Sequence, residues 1–372
     1  MSLTKNIVIA CSYPITTERI GGMDYFFWEM DQALKQQGYA LKWLFRSNGN
    51  TQHYSDRGLD FEIIENGDSF QEELLAWLET KKETRLFIGH FLDYQSSIVK
   101  SIKSILGHSV PCIYVDHMSR TINQPNFSKR IKRAVKGIVY YNQIDQIIAV
   151  SNYVKQSIVS EIGAFWAKKT QVIYNGLQTN NYIAAPISEE NQSLAIFCIG
   201  HLIAEKGFQT VILSCELLQK QGIPFHLTIA GDGNYKSNLI DLAEQNLEPN
   251  SFTFLGNITN QSHWLNQSDV VIIPSLWNEA FGFTVVEALL MNKVVFASNV
   301  GGIPEILKDK QLLFNANNQQ QLKELFLDYI SNKEKYREKA KKLYDFARNE
   351  FTIEKMVSQH LQCYTSFLKQ QT

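Results

Sequence analysis

Short runs of β-branched and aromatic residues alternate with longer amphipathic segments along most of the chain, the pattern of parallel sheets covered by helices. In the first half, runs predicting strands fall at Asn6–Cys11, Leu41–Phe45, Leu86–Gly89, Cys112–Val115, Gln146–Val150 and Gln171–Tyr174. In the second half they fall at Leu194–Ile199, His226–Ala230, Phe252–Phe254, Val270–Ile273 and Val294–Ala297. The unbroken runs VVIIP and KVVFA suit central strands buried on both faces. Between Met23 and Gln37, apolar Phe26, Phe27, Met30, Ala33 and Leu34 recur at helical spacing, and Gly38 supplies a C-terminal cap.

The stretch Thr179–Ser193, TNNYIAAPISEENQS, is polar and separates two strand–helix series. It predicts two doubly wound α/β domains, at residues 1–183 and 184–352, joined by a linker. The charged, helical tail ends in Ile353–Lys369, long enough to return to the first domain.

A length of 372 residues suits two domains, and 44% hydrophobic residues with 22 Phe, 16 Tyr and 6 Trp can fill both cores. A net charge of −1 argues against a dedicated nucleic-acid binder. The split is uneven: residues 1–183 carry 20 basic and 17 acidic side chains, the remainder 16 and 20. Five basic residues, Lys129, Arg130, Lys132, Arg133 and Lys136, fall within KRIKRAVK. That segment suits contact with anionic lipid, and a solvated helix face is the alternative. The five cysteines form no CxxC pair and predict reduced, buried thiols in a cytoplasmic protein. No apolar run reaches the ~18 residues of a membrane span.

The most informative segment is Pro274–Glu287, PSLWNEAFGFTVVE, which follows the Val270–Ile273 strand. Open α/β sheets bind ligands beyond the carboxyl ends of their strands. Gly282 permits close backbone approach, and a helix starting near Thr284 turns its free N–H groups toward a phosphate. Glu279 and Glu287 are two candidate ligand carboxylates. For Glu287 the alternative is a capping box with Thr284, and for Glu279 a solvated loop position.

This segment resembles the E-x7-E signature of family 4 retaining glycosyltransferases, which have the GT-B fold. Gly200–Gly207, GHLIAEKG, resembles the family's G-R-L-x-x-x-K-G segment, and Gly301–Glu305, GGIPE, its G-G-x-x-E. The GDG at 231–233, Gly21–Gly22 before the first helix, His117 after PCIYVD, Ser151 after QIIAV and the Asn175–Gly176 pair run in family order. The resemblance implies two Rossmann-like domains facing a central cleft, the first binding acceptor and the second nucleotide-sugar, with the helix 353–372 packing back on the first. It implies that Glu279 contacts the transferred sugar, that backbone N–H groups of Phe281, Gly282, Phe283 and Thr284 hold sugar and diphosphate, and that Glu287 binds the ribose hydroxyls. Lys206 neutralises the leaving diphosphate, His117 approaches the donor sugar, and Gly21 and Gly22 admit the donor phosphates. His201 stands where the family usually carries Arg, so it gives one hydrogen bond at most to the phosphate, or Lys206 and helix N-termini carry that load.

The implied activity is retaining transfer of a sugar, hexosyl in type, from a nucleotide-diphosphate sugar to a glycan or lipid-linked acceptor in bacterial surface-polysaccharide assembly (lipopolysaccharide, capsule or exopolysaccharide). No metal or other cofactor is expected. The implied place is the cytoplasm, with a peripheral position on the inner membrane face open through the basic segment. A non-catalytic nucleotide-sugar-binding subunit is the alternative from a different class.

Overall fold

The computed structural model describes residues 6–16, 22–47, 49–64, 70–81, 83–122, 127–184 and 193–369. Within the Phe127–Val139 helix, the side chains of Phe127, Lys129, Arg130, Arg133 and Ala134 lie outside that description, as does Gly21. The chain divides into two compact units, Met1–Gly176 with Ile353–Thr372, and Leu177–Thr352.

The first unit is built on seven strands: β1 (Asn6–Ile15), β2 (Ala40–Ser47), β3 (Phe61–Ile63), β4 (Thr84–His90), β5 (Cys112–Asp116), β6 (Gln146–Ala149) and β7 (Thr170–Val172). Their order is β3-β2-β1-β4-β5-β6-β7, and every pair is parallel. Helices join the successive strands, which makes the sheet doubly wound and reverses the strand order between β1 and β4. Ile7 to Cys11 of β1 are buried without interruption, as a central parallel strand requires. The Ile353–Lys369 helix belongs to this unit and packs on the Gly22–Gln36 helix, with His360 against Phe26 at 4.9 Å between ring centres.

The second unit repeats the plan with β8 (Leu194–Ile199), β9 (Phe225–Ala230), β10 (Phe252–Gly256), β11 (Val270–Ile273), β12 (Val294–Ser298) and β13 (Leu313–Phe314). The order is β10-β9-β8-β11-β12-β13, again parallel, with the reversal between β8 and β11. Every residue of β11 and β12 is buried.

The division between units falls at Gly176, seven residues before the expected boundary at 183. Hydrogen bonds made by those seven residues account for the difference. The Leu177 amide donates to the Phe351 carbonyl at 2.9 Å, Tyr182 reaches Glu287, and Asn266 donates to the Ile183 carbonyl. The short strands β3 and β13 were not among the predicted runs. All five cysteines are buried and unpaired. Among the described residues, no helix is long and apolar enough to cross a membrane.

Candidate functional site

In the second unit, the Gly200–Gly207 loop follows β8 and the Pro274–Gly282 loop follows β11, so both leave the carboxyl edge at the point where strand order reverses. Such a switch point is where doubly wound sheets hold ligands. The two loops are stitched together: the Leu276 amide donates to the Glu205 carbonyl at 2.8 Å. Gly207 has φ +73°, and a Cβ there would lie 2.0 Å from the Pro274 carbonyl oxygen. Only glycine fits such a crossing.

This crossing puts the Lys206 ammonium 2.6 Å from Glu279 Oε1. The same oxygen accepts from Ser275 Oγ at 2.6 Å and from Trp277 Nε1 at 3.1 Å. Three donors therefore fix one carboxylate oxygen, while Oε2 takes no hydrogen bond from a described residue. Lys206 also lies 5.5 Å from the centre of the Trp277 ring, and that indole is half exposed. From the other side, the Gly302 amide donates to the Glu279 carbonyl at 2.8 Å. A Cβ at Gly301, φ +57°, would fall 2.2 Å from that carbonyl oxygen. The segments GHLIAEKG, PSLWNEAFG and GGIPE thus meet around Glu279.

The helix after Glu279 runs Phe283–Leu290, one residue earlier than the expected start, with Gly282 at its N-cap, φ +109°. Val285 and Val286 donate the first bonds of this helix, both to the Gly282 carbonyl, so the Phe283 and Thr284 N–H groups precede its bonded ladder at the positive end of the helix dipole. Glu287 does not form the capping box with Thr284. Its oxygens instead accept from Gln261 Nε2 at 2.9 Å and from the Tyr182 hydroxyl at 3.4 Å. Burial raises the Glu287 pKa, and these two donors oppose the rise. His201 is exposed, and its ring lies against Gly233, where a Cβ would come within 2.7 Å of His201 Cδ2.

His117 and Gly22 belong to the first unit. Gly22 opens the Gly22–Gln36 helix. His117 follows β5, and its Nε2 shares a 3.1 Å hydrogen bond with Nδ1 of His90, the last residue of β4. Phe91 stacks on His117 at 4.2 Å between centres and 12° between planes. Phe91 adopts φ +55°, a strained conformation for a bulky residue, and so brings its ring onto the imidazole. Burial, aided by His360, pulls the His117 pKa down to about 3. Burial likewise lowers His360 to about 4 and takes His90 well below its ordinary value. The three rings are therefore neutral at physiological pH, and His117 offers a neutral imidazole rather than a cation.

Sequence reasoning did not single out Ser275, Trp277, Gln261 or Tyr182. The first two lie inside the PSLWNEAFGFTVVE segment, whereas nothing in sequence marks the other two. Of the basic run, Lys132 and Lys136 are exposed. Among the described residues, no group of three or more His, Cys, Asp or Glu side chains is placed to hold a metal ion.

Two family descriptions match nearly the whole chain end to end: Glycosyltransferase Family 4 over residues 20–181 and Glycosyl transferases group 1 over residues 183–349. The chain belongs to the family 4, group 1 glycosyltransferases. An uncharacterized glycosyltransferase of Methanocaldococcus jannaschii, MJ1178, is 27% identical over 256 residues, 67% of this chain and 66% of that protein. The O-antigen biosynthesis glycosyltransferase WclY of Escherichia coli is 27% identical over 211 residues, 54% of this chain and 57% of its own. The matched stretch spans between 40% and 66% of the length of the first such relatives. Among solved structures, Anabaena Alr3699/HepE in complex with UDP and glucose has a TM-score of 0.75 at 19% identity, covering 97% of this chain and 99% of its own. A Rickettsia africae glycosyltransferase has a TM-score of 0.78 at 18% identity, with 98% and 99% covered. The two-unit parallel α/β architecture of this glycosyltransferase-family chain is thus the GT-B fold.

Proposed function

We propose that this protein transfers a sugar from a nucleotide-diphosphate sugar to a glycan or lipid-linked acceptor, with retention of anomeric configuration, in bacterial surface-polysaccharide assembly. The observation that carries this reading is the Lys206–Glu279 pair at the β8/β11 switch point, beside the N-terminus of the Phe283–Leu290 helix. Lys206 has three N–H donors. One engages Glu279, and the others serve the diphosphate, whose charge grows as the glycosidic bond breaks. The N–H groups from Phe281 to Thr284 add donors to the same anion. Glu279 accepts a sugar hydroxyl on Oε2, held in place because Oε1 is fixed by three donors. Glu287, anchored by Gln261 and Tyr182, accepts from the ribose hydroxyls. Acceptor binding is assigned to the first unit, and the neutral His117 is assigned a hydrogen bond to a hydroxyl of the donor sugar. Retention follows from attack on the face the diphosphate leaves, with a departing phosphate oxygen taking the acceptor proton.

UDP-sugars are the first donors to test, because HepE, which shares the fold, is complexed with UDP and glucose. A ligand bound only by the folded state raises the unfolding midpoint. Thermal shift against UDP-, GDP- and ADP-sugars is expected to single out one nucleotide, and Glu287→Ala to lose that shift. No shift with any of the three, or an unchanged shift in Glu287→Ala, contradicts the donor site.

A further inference from the structure

Of the six tryptophans, two are buried, three are part-buried and Trp277 alone is exposed, at 45%. Large aromatic rings are highly buried on average, so an open indole at the β8/β11 switch point needs a reason. Its position is fixed all the same. The indole N–H donates to Glu279 Oε1 at 3.1 Å, and the Lys206 ammonium lies 5.5 Å from the ring centre, within the ~6 Å reach of a cation–π contact. The loop beneath is tied down as well: Ser275 is buried, and the Leu276 amide is bonded to the Glu205 carbonyl. The ring is held in one orientation while about half its surface stays open.

This fixed ring stands beside an acceptor that is still available. Lys206, Ser275 and Trp277 all converge on Glu279 Oε1, and Oε2 takes no hydrogen bond from a described residue. A hexose has two chemically different surfaces, a rim of hydroxyls and faces made of C–H bonds. A site that takes it needs a hydroxyl acceptor next to an apolar wall. Glu279 and Trp277 supply the two within one hydrogen bond of each other. A phosphate gains nothing from the ring, because the face of an indole carries the negative end of its quadrupole. The diphosphate is served instead by the Lys206 ammonium and the helix N-terminus, and the ribose by Glu287. That leaves the indole to the sugar, with a stacked nucleobase as the competing occupant.

We infer that Trp277 is a sugar-contacting residue of the donor site, its open indole surface packing on the C–H face of the hexosyl group whose hydroxyl bonds Glu279 Oε2. The inference rests on the donor-site reading above and adds the residue that tells a sugar nucleotide from its bare nucleotide. One side chain then serves three partners. Its N–H fixes the carboxylate, its ring steadies the ammonium, and its open surface receives the sugar. Because the ring is oriented before the donor arrives, little side-chain freedom is lost on binding. A sugar packed on it also excludes water from beside the Lys206–Glu279 pair, which strengthens both charges where the bond breaks.

The test is titration calorimetry of wild type, Trp277→Ala and Trp277→Phe with matched pairs: UDP and UDP-glucose, GDP and GDP-mannose, ADP and ADP-glucose. For the pair that binds, Trp277→Ala is expected to weaken the sugar nucleotide by about tenfold or more and the bare nucleotide by less than about twofold. Trp277→Phe keeps a ring but not the N–H, so it recovers most of the sugar-nucleotide affinity. Acrylamide quenching gives a second readout, because Trp277 is the exposed indole. The sugar nucleotide is expected to protect wild-type fluorescence where the bare nucleotide does not, and Trp277→Phe to lose that protected fraction. The unliganded unfolding midpoint of both variants stays at the wild-type value. Equal losses for sugar nucleotide and bare nucleotide in Trp277→Ala overturn the inference and name the nucleobase as the occupant; no loss for either overturns it too. Wild type that binds none of the pairs refutes the donor site itself, a failure distinct from that of the stacking contact.

Discussion

The Lys206 ammonium lies 2.6 Å from Glu279 Oε1, although the two residues come from loops that follow different strands. Their meeting depends on the adjacency of β8 and β11 and on glycines that let the backbones touch. Gly207 lies under the Pro274 carbonyl, and Gly301 lies under the Glu279 carbonyl. A cation and a carboxylate fixed at a switch point form a polarised site, with the cation available to a phosphate and the second carboxylate oxygen to a hydroxyl.

Removing either partner is expected to abolish transfer while the protein stays folded. Lys206→Ala loses the charge that receives the leaving diphosphate, and Glu279→Ala loses the sugar contact. By analogy with the loss of one preorganised donor, turnover falls by roughly 100-fold or more in each. Initial rates with saturating donor, alongside circular dichroism of both variants, check this. Normal turnover in either variant would sink the assignment.

The glycine contacts predict a stability cost with a defined direction. Gly301→Ala places a methyl against the Glu279 backbone and forces alanine into a left-handed conformation, so it destabilises by more than about 1 kcal/mol. Urea unfolding measures it. Gly38→Ala serves as the control, because that glycine also has positive φ but nothing within 4 Å of its would-be Cβ. The loss at Gly301 should exceed the loss at Gly38.

The histidine cluster predicts acid sensitivity. His117 and His360 have folded pKa values of about 3 and about 4, below the ordinary value of 6.5, and His90 is lowered in the same direction. The unfolded chain therefore binds protons that the folded chain does not. Stability from this source is full above pH 6.5 and falls as pH drops from there toward 4 and 3, by about 1.4 kcal/mol per pH unit for each proton taken up. His360→Leu is expected to flatten the dependence of the unfolding midpoint on pH over that range. An unchanged slope in the variant contradicts the assignment.

His90 is expected to act through His117. Its 3.1 Å hydrogen bond fixes which His117 nitrogen carries the proton. His90→Phe keeps the apolar packing but removes that bond, so kcat falls while the donor KM holds. His90→Gln, which can still hydrogen-bond, recovers part of the loss. Steady-state kinetics of the two variants separates this from a purely structural role, in which kcat would not distinguish them.

Much of this architecture is legible in sequence because central parallel strands are continuous apolar runs. VVII and LAIFCI were readable to the residue, and the Ile353–Lys369 helix was too. The edge strands Phe61–Ile63 and Leu313–Phe314 escaped because two or three residues carry no periodicity; their neighbours set their pairing. The polar 179–193 stretch marked a boundary, but composition says nothing of the hydrogen bonds that tie Leu177 and Ile183 to the second unit. Glu279, Glu287 and Lys206 were legible through their motifs. Ser275 and Trp277 share the Glu279 segment, yet a donor on a carboxylate shows only once the loop has closed. Gln261 and Tyr182 reach Glu287 from 26 and 105 residues away, a convergence that no local pattern encodes.

The most direct measurement is nucleotide-diphosphate release from UDP-, GDP- and ADP-sugars by wild type and by Glu279→Ala, read alongside NMR of the product's anomeric configuration. Wild type is expected to release the nucleotide from one donor class and to give a product with the donor's configuration, with release near background in Glu279→Ala. Donor binding without release, or release that Glu279→Ala leaves intact, would contradict it.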